Sequence, residues 1–403
     1  MFPSYLLQKP IRHSLISRLK TAYTQLVVCS VMFLVIGCAV GPDYRTPKVS
    51  APESWSASQQ NETINSADPV VHWWKTFNDP LLDSLIIRAM KSNLDLRVAE
   101  ARIREARFLN SAVSAELWPE VNTSALYSRS RRSLGISTIP PSAKLKRNLY
   151  QAGFDAIWEI DLFGGKRRAR EAARADVDAA VENQRDVLIT LLAELTKEMP
   201  IPSVSVTVSV GLPSDLLRRR PDVRRIEREL AAATARIGVA TADLFPKFSL
   251  TGDFGLQSEG WSAFSLINSR YWSFGPTMRW PIFEAGRIRA NIHAQNARQE
   301  QLLLNYEKSI LGALEDAESA LAVYTGEQVR HKNLAEAVNA NRRAVELAGE
   351  LFTRGLANFL SVLDAERSLY ESEDNLAQSE HTVSLNLVSL YKALGGGWET
   401  EPS

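Results

Sequence analysis

Two stretches of the chain, AELWPEVNTSALYS (Ala115–Ser128) and ADLFPKFSLTGDFG (Ala242–Gly255), write one pattern twice, 127 positions apart. Each leaves a helix-like run through an aromatic-proline pair, Trp118-Pro119 or Phe245-Pro246, and enters alternating residues. In the first copy Val121, Thr123, Ala125 and Tyr127 share a face. In the second, Phe248, Leu250, Gly252, Phe254 and Leu256 do, with Ser249, Thr251, Asp253 and Gln257 opposite. The offset holds upstream, where Asp95 falls on Asp222, Glu100 on Glu227 and Ala106 on Ala233. Apolar spacing predicts a helix over Asn93–Glu116 and another over Pro221–Asp243, the latter opened by a proline suited to a first turn.

A second alternating segment follows in each unit. Tyr150, Ala152, Phe154, Ala156, Trp158, Ile160 and Leu162 oppose Gln151, Asp155, Glu159 and Asp161; Trp272, Phe274, Pro276, Met278, Trp280 and Ile282 form the matching series. Segments of about ten residues with one greasy and one polar side are the kind that cross an outer membrane. A soluble sandwich with one buried face is the alternative, and long helices around only four strands suit it poorly. Lipid cannot satisfy an open sheet edge, and barrels of this kind need about eight strands. Four strands that span must therefore be completed by other copies, two giving eight and three giving twelve.

The second strand of the second unit leads into a proline-free run from Ile282 to about Phe352, roughly 100 Å if helical. Ile310, Ala313, Leu314, Ala317, Ala320, Leu321 and Tyr324 repeat along it at threes and fours, a small-residue seam for a close neighbour. Thr353-Arg354-Gly355 breaks the run, and Asn358–Leu394 supplies a returning helix stopped by Gly395, Gly396 and Gly397. The fold expected from the residues is mainly α with a transmembrane β part: four strands per chain in a barrel completed by further copies, continued by a long helical coiled-coil barrel.

At the N-terminus, Lys9, Arg12, Arg18 and Lys20 precede an apolar run, Leu26–Ile36, too short to span a bilayer, which reads as a secretion signal. The run ends in VIGC, similar to a bacterial lipobox that would lipidate Cys38. In such lipoproteins a residue other than Asp next, here Ala39, goes with sorting to the outer membrane. A buried cysteine in an ordinary signal is the alternative. Cys29 would leave with the signal, so the mature protein would have no internal disulfide.

Six stretches in order resemble the outer membrane factor family, the TolC-like efflux proteins, and especially their NodT-like lipoprotein branch. They are GCAVGPDY (Gly37–Tyr44), WWKTFNDPLLDSLI (Trp73–Ile86), WEIDLFGGKRR (Trp158–Arg168), GLPSDLLRRRPDVR (Gly211–Arg224), IFEAGRIRA (Ile282–Ala290) and RGLANFLSVLDAERSL (Arg354–Leu369). The resemblance implies a homotrimeric outer-membrane duct, lipid-anchored and reaching into the periplasm. Through a periplasmic adaptor it would join an inner-membrane transporter of RND type and pass drugs or other small molecules outward. It also implies a periplasmic entrance at the hairpin tip, carried here by Arg354, Gly355 and Asp364. Ser361 stands where some members have a second acid, and Phe352 where a tip tyrosine is usual. Three Asp364 side chains around a pore would favour cations, while an acid near a helix start is otherwise a stabilised first turn.

The units differ in length. From Phe283 to Gly397 the second takes 114 positions, whereas the first passes from Phe163 to Pro200 in 37. Its helix, Lys166–Lys197, would be about 48 Å long and runs straight into a linker, so the first tip hairpin is missing and adaptor docking is in question. The expected parts are a signal (1–37), a lipidated linker with the first helix (38–92), the first repeat (93–198), a linker (199–220), the second repeat (221–397) and a tail (398–403).

Other functions find little support. Net charge is +1 with scattered basic residues, which argues against nucleic acid. His13, His72, His293, His331 and His381 lack metal-ligand spacing, and no phosphate loop or nucleophile elbow is present, so no enzyme, cofactor or metal is expected. A structural or adhesive outer-membrane lipoprotein is the better rival. It would need apolar or paired groups where a duct has Asp155, Glu159, Asp161, Asp253 and Gln257 facing water.

Overall fold

The structure, a computed structural model, describes residues 39–48, 52, 55, 72–133, 135, 145–197 and 219–396. The leader 1–37, Cys38, most of the linker 199–220 and the tail 398–403 lie outside the described residues. In chain order the elements are α1 (Pro80–Ser92), α2 (Leu94–Ala115), β1 (Glu120–Arg131), β2 (Lys146–Ile160), α3 (Gly165–Lys197), α4 (Pro221–Ala242), β3 (Lys247–Ser258), β4 (Arg270–Arg279), α5 (Arg287–Thr353) and α6 (Phe359–Ala393). The chain is mainly helical with few strands, as expected. It divides into two units, one of residues 1–44, 109–173 and 234–297, the other of 45–108, 174–233 and 298–403.

The first unit holds the sheet. All four strands are antiparallel in the order β1-β2-β3-β4, so β1 and β4 are its edges. β1 and β3 keep the 127-residue offset, and the helix-to-strand corner is built alike in both repeats. The Trp158 indole donates to the Leu117 carbonyl at 3.0 Å, and the Trp280 indole donates to the Leu244 carbonyl at 3.0 Å. Proline cannot continue a helix with a free donor, and the indole takes one of the carbonyls left over at the corner. Phe163 and Phe245 stack at 4.6 Å beside it.

Three boundaries differ from the sequence reading. β2 begins four residues earlier, at Lys146, and ends at Ile160, so Asp161 and Leu162 are outside it. β4 stops at Arg279, leaving Trp280 and Ile282 beyond the strand. The long helix starts at Arg287 rather than Ile282, because Ala285 (φ 47°) and Gly286 (φ 85°) occupy the left-handed region, which a right-handed helix cannot pass through.

The helix α5 runs 67 residues, those from 298 on in the second unit, and α6 returns for 35. Ile310, Ala313, Ala317, Leu321 and Tyr324 are buried at the expected spacing, and α6 contributes Leu387, Val388, Leu390 and Tyr391. Trp73 stacks on Tyr391 with ring centres 5.2 Å apart. Burial pushes the Tyr324 phenol up to about 12. Nearer the hairpin tip the helices are joined by polar contacts instead. Asn341 donates to Ser372 at 3.1 Å, Arg342 pairs with Glu373 at 2.9 Å, and Ser379 donates to Glu327 at 2.5 Å.

Candidate functional site

Register decides the chemistry of the sheet. Val121, Ala156, Gly252 and Phe274 lie side by side across the four strands, as do Thr123, Phe154, Phe254 and Trp272. This face is apolar and uncovered: Trp272 is 77% exposed, Phe274 68% and Phe254 58%. From Tyr150 to Trp158 it extends about 26 Å along β2, close to the apolar band of an outer-membrane barrel. Aromatic side chains mark both limits, Tyr127, Tyr150 and Trp261 at the hairpin-loop end and Trp118, Trp158 and Trp280 at the helix end. A soluble protein does not leave such a face wet.

The opposite face is polar. Asn122, Asp155, Asp253 and Ser273 form one row across all four strands, and Ser273 donates to Asp253 at 2.7 Å. Gln151 and Gln257 pair in the next polar positions. Directly opposed carboxylates such as Asp155 and Asp253 repel unless water or counterions surround them, so this face belongs in water. Where it crosses Gly153 and Gly255 the sheet is thin, and Tyr271 lies over both glycines while accepting a hydrogen bond from Gln151 at 3.0 Å.

Asp161, expected to face the water-lined interior, does something else. Its carboxylate accepts from the backbone N–H groups of Lys166 and Arg167 at 3.2 and 2.9 Å, capping α3. Glu159 stays on the polar face with Lys166 at 3.9 Å. These groups border a hollow of about 210 Å³ between the strand ends and the helices.

Two arginines that the sequence reading did not single out organise the rest. Arg168, only 5% exposed, donates to the Val40 and Gly41 carbonyls at 3.2 and 3.3 Å and to Asp43 at 2.6 Å. It thereby fastens the residues just after Cys38, helped by Val40 N–H donating to Phe163 at 3.0 Å. In the other unit Arg220 grips Asp222 at 2.7 Å, Asp316 at 3.1 Å and the Ala393 carbonyl at 3.2 Å, joining α4, α5 and α6. Burial works against the Asp222 carboxylate, but the Arg220 hydrogen bonds and charge outweigh it and hold the group below its usual range. Asp186 faces this cluster and is pushed up by burial and by Asp222. Both arginines lie within quoted motifs, WEIDLFGGKRR and RRRPD, and what singles them out is the set of distant partners each gathers.

At the hairpin tip Gly355 (φ 71°) closes α5: its N–H donates to the Phe352 carbonyl at 2.9 Å and the Leu356 N–H to Leu351 at 2.8 Å. This is the paired bonding of a glycine C-cap. Asn358 caps α6, accepting from the Ser361 N–H at 3.0 Å and the Ser361 hydroxyl at 2.9 Å. Arg354 is exposed and 3.7 Å from Glu350. Asp364 is exposed and lies past the first turn of α6, so a stabilised first turn does not explain it. Phe352 and Phe359 meet at 5.5 Å. Cys38 is outside the described residues. Among the described residues there is no cluster of His, Cys, Asp and Glu fit for a metal ion, and no helix is long and apolar enough to cross a membrane.

A family model described as outer membrane efflux protein matches residues 85–199 and 212–396. The cation efflux system protein CusC of Escherichia coli O6:H1 is 28% identical over 464 residues, covering 92% of this chain and 98% of that protein. The probable outer membrane lipoprotein SilC of Salmonella typhimurium is 26% identical over 467 residues, covering 93% and 99%. Both alignments are longer than the 403 residues of this chain. Among solved structures, the outer-membrane channel OprN superposes with a TM-score of 0.78 at 30% identity, covering 90% of this chain and 100% of that one.

Proposed function

We propose, starting from the fact that this chain belongs to the outer membrane efflux protein family, that it is the passive exit duct of a tripartite pump, carrying small molecules from periplasm to exterior without catalysis. The protein resides in the outer membrane and extends into the periplasm. The observation that carries the reading is the sheet itself. It has two open edges, one uncovered aromatic face and one polar face with a row of Asn122, Asp155, Asp253 and Ser273. In lipid those edges must be paired, and three copies supply a 12-stranded barrel whose polar face lines a wet lumen. Cys38 adds a lipid anchor, a supplement to the barrel, since one acyl chain binds only weakly.

The partners on this reading are a periplasmic adaptor and an inner-membrane transporter of RND type, with drugs among the cargo. α3, at 33 residues, is half the length of α5 at 67 and lacks a described returning helix, whereas α5 is followed by the 35-residue α6. Each trimer then carries three tip hairpins, and adaptor docking is weaker than in relatives whose sequences need 464 alignment positions.

Single-channel recording of the purified protein in a planar bilayer, beside its mass in detergent, tests the duct. Stepwise ohmic conductance from a trimer is expected. A membrane-inserted trimer silent under all conditions would instead favour a structural or adhesive lipoprotein, and a water-soluble monomer would overturn both.

A further inference from the structure

Between Glu120 and Asp155 the chain carries six cationic side chains, Arg129, Arg131, Arg132, Lys144, Lys146 and Arg147, and not one carboxylate. Composition alone leaves them scattered; register sorts them. Alternation along β1 carries the face of Val121 and Tyr127 on to Arg129 and Arg131, and the ladder sets Arg131 opposite Lys146 and Arg129 opposite Asn148. Three cations therefore stand together on the apolar face, all exposed, at the hairpin-loop end of the strands. Arg147, at the same level, points to the other face and is paired with Glu259 at 2.9 Å.

Like charges directly opposite each other on a sheet destabilise it, and no acidic partner meets Arg129, Arg131 or Lys146 among the described residues. Immediately below them, Tyr127 and Tyr150 meet at 4.8 Å and Trp261 adds an edge to Tyr150 at 5.6 Å. Below these comes the uncovered band of Phe154, Phe254 and Trp272. Cation, then aromatic ring, then hydrocarbon is the order in which a phosphorylated lipid presents phosphate, glycerol or sugar, and acyl chain.

We infer that Arg129, Arg131 and Lys146 form a binding site for the phosphate groups of the phosphorylated glycolipid of the outer leaflet, which seats its acyl chains on the aromatic face beneath. The inference rests on the proposed spanning orientation, with the hairpin-loop end outward. The site neutralises a like-charge pair that no carboxylate among the described residues compensates, and it fixes the depth of the barrel.

The full-length protein is reconstituted in phosphatidylcholine vesicles containing either a bisphosphorylated glucosamine-disaccharide lipid or its dephosphorylated form. Lipid retained after gentle detergent extraction is then counted by native mass spectrometry. The wild type should keep the phosphorylated lipid and not the dephosphorylated one. At about fivefold per cation, the triple variant R129Q/R131Q/K146Q should retain it on the order of a hundredfold less. R147Q should match the wild type, and R129K/R131K/K146R should restore retention, which separates loss of charge from loss of fold. Equal retention by wild type and the triple Gln variant overturns the site, as does equal retention of the dephosphorylated lipid. Displacement of the lipid by excess inorganic phosphate assigns the cations to free anions instead. Failure of the wild type to float with the vesicles at all removes the spanning premise, and the site with it.

Discussion

Arg168→Met tests how the strap Val40–Asp43, just after the proposed lipidation site Cys38, is held. The methionine keeps the apolar stem that packs beside Gly238, where a Cβ on the glycine would lie 2.8 Å from the arginine Cγ, but it removes the guanidinium. Lost with it are three charge-assisted bonds to the strap, at 3.2 Å to Val40, 3.3 Å to Gly41 and 2.6 Å to Asp43. Each such bond contributes about 1.5 kcal/mol or more, but the freed carbonyls of a surface strap regain water, so the net loss is about 3 kcal/mol. Val40 N–H donates to the Phe163 carbonyl, and Gly41 (φ 91°) sits against Gly238 so closely that an added Cβ would be 2.4 Å from the Gly238 Cα.

The readout is amide hydrogen exchange at Val40, measured by mass spectrometry on the detergent-solubilised protein. Local opening made easier by about 3 kcal/mol speeds exchange by a factor of about 150 at that amide, with strand amides of β2 and β3 unchanged. Arg168→Lys, which keeps the charge near Asp43 but loses the fork to two carbonyls, should fall between. Exchange at Val40 at the wild-type rate in Arg168→Met, with the sheet intact, would refute the idea that this arginine holds the strap.

Three further outcomes follow from particular contacts. Gly255→Ala should cost about 1–3 kcal/mol of sheet stability by thermal melting, since its Cβ meets the Ala152 carbonyl at 2.5 Å and the Tyr271 ring at 2.9 Å; a melt equal to wild type would show that β2 and β3 can separate without penalty. Burial holds the Tyr324 phenol at about 12 in the fold against near 10 unfolded, so its stabilisation, on the order of 3 kcal/mol, is whole below pH 10 and is lost as pH rises through 12. Tyr324→Phe should flatten alkaline unfolding over that window, and an unchanged profile would place the transition elsewhere. Asp364→Asn should lower cation over anion permeability in a salt-gradient reversal potential, and no shift would remove Asp364 from the conduction path.

Much of the fold could be read from Ala115–Ser128 and Ala242–Gly255, because alternation and a helix-ending proline are local signals that repeat. The same repeat reaches down to single hydrogen bonds, the two indoles closing the two corners. What stayed hidden depended on partners distant in sequence or on backbone dihedrals. Ala285 looks like a helix former, and nothing in its identity announces the left-handed turn that delays α5 to Arg287. Asp161 continues the alternation of β2 on paper, yet the two backbone donors at the start of α3 take its carboxylate. The strand-end cations looked dispersed until pairing set Arg131 against Lys146. At the tip, motif resemblance marked Asp364, and only the cap at Asn358 shows that it lies past the first turn.

The sheet also ties folding to assembly. In a soluble domain the apolar face of a four-stranded sheet is covered by its own helices; here the helices pack among themselves, and Phe254, Trp272 and Phe274 are left more than half exposed. The polar face cannot stand in as a core, because Asp155 opposes Asp253 across it. Neither face can be buried within one chain without stranding charge or wetting aromatic surface, and neither edge can be closed by the other at four strands. On the proposed barrel, the sheet of one chain is stable neither in water nor in lipid, and becomes stable when insertion covers one face and neighbouring copies close both edges together. Its apparent stability must then rise with protein concentration, as for any fold completed by its own partners. The helical unit, with Arg220 clamping α4, α5 and α6 and Trp73 sealed against Tyr391, has a core of its own.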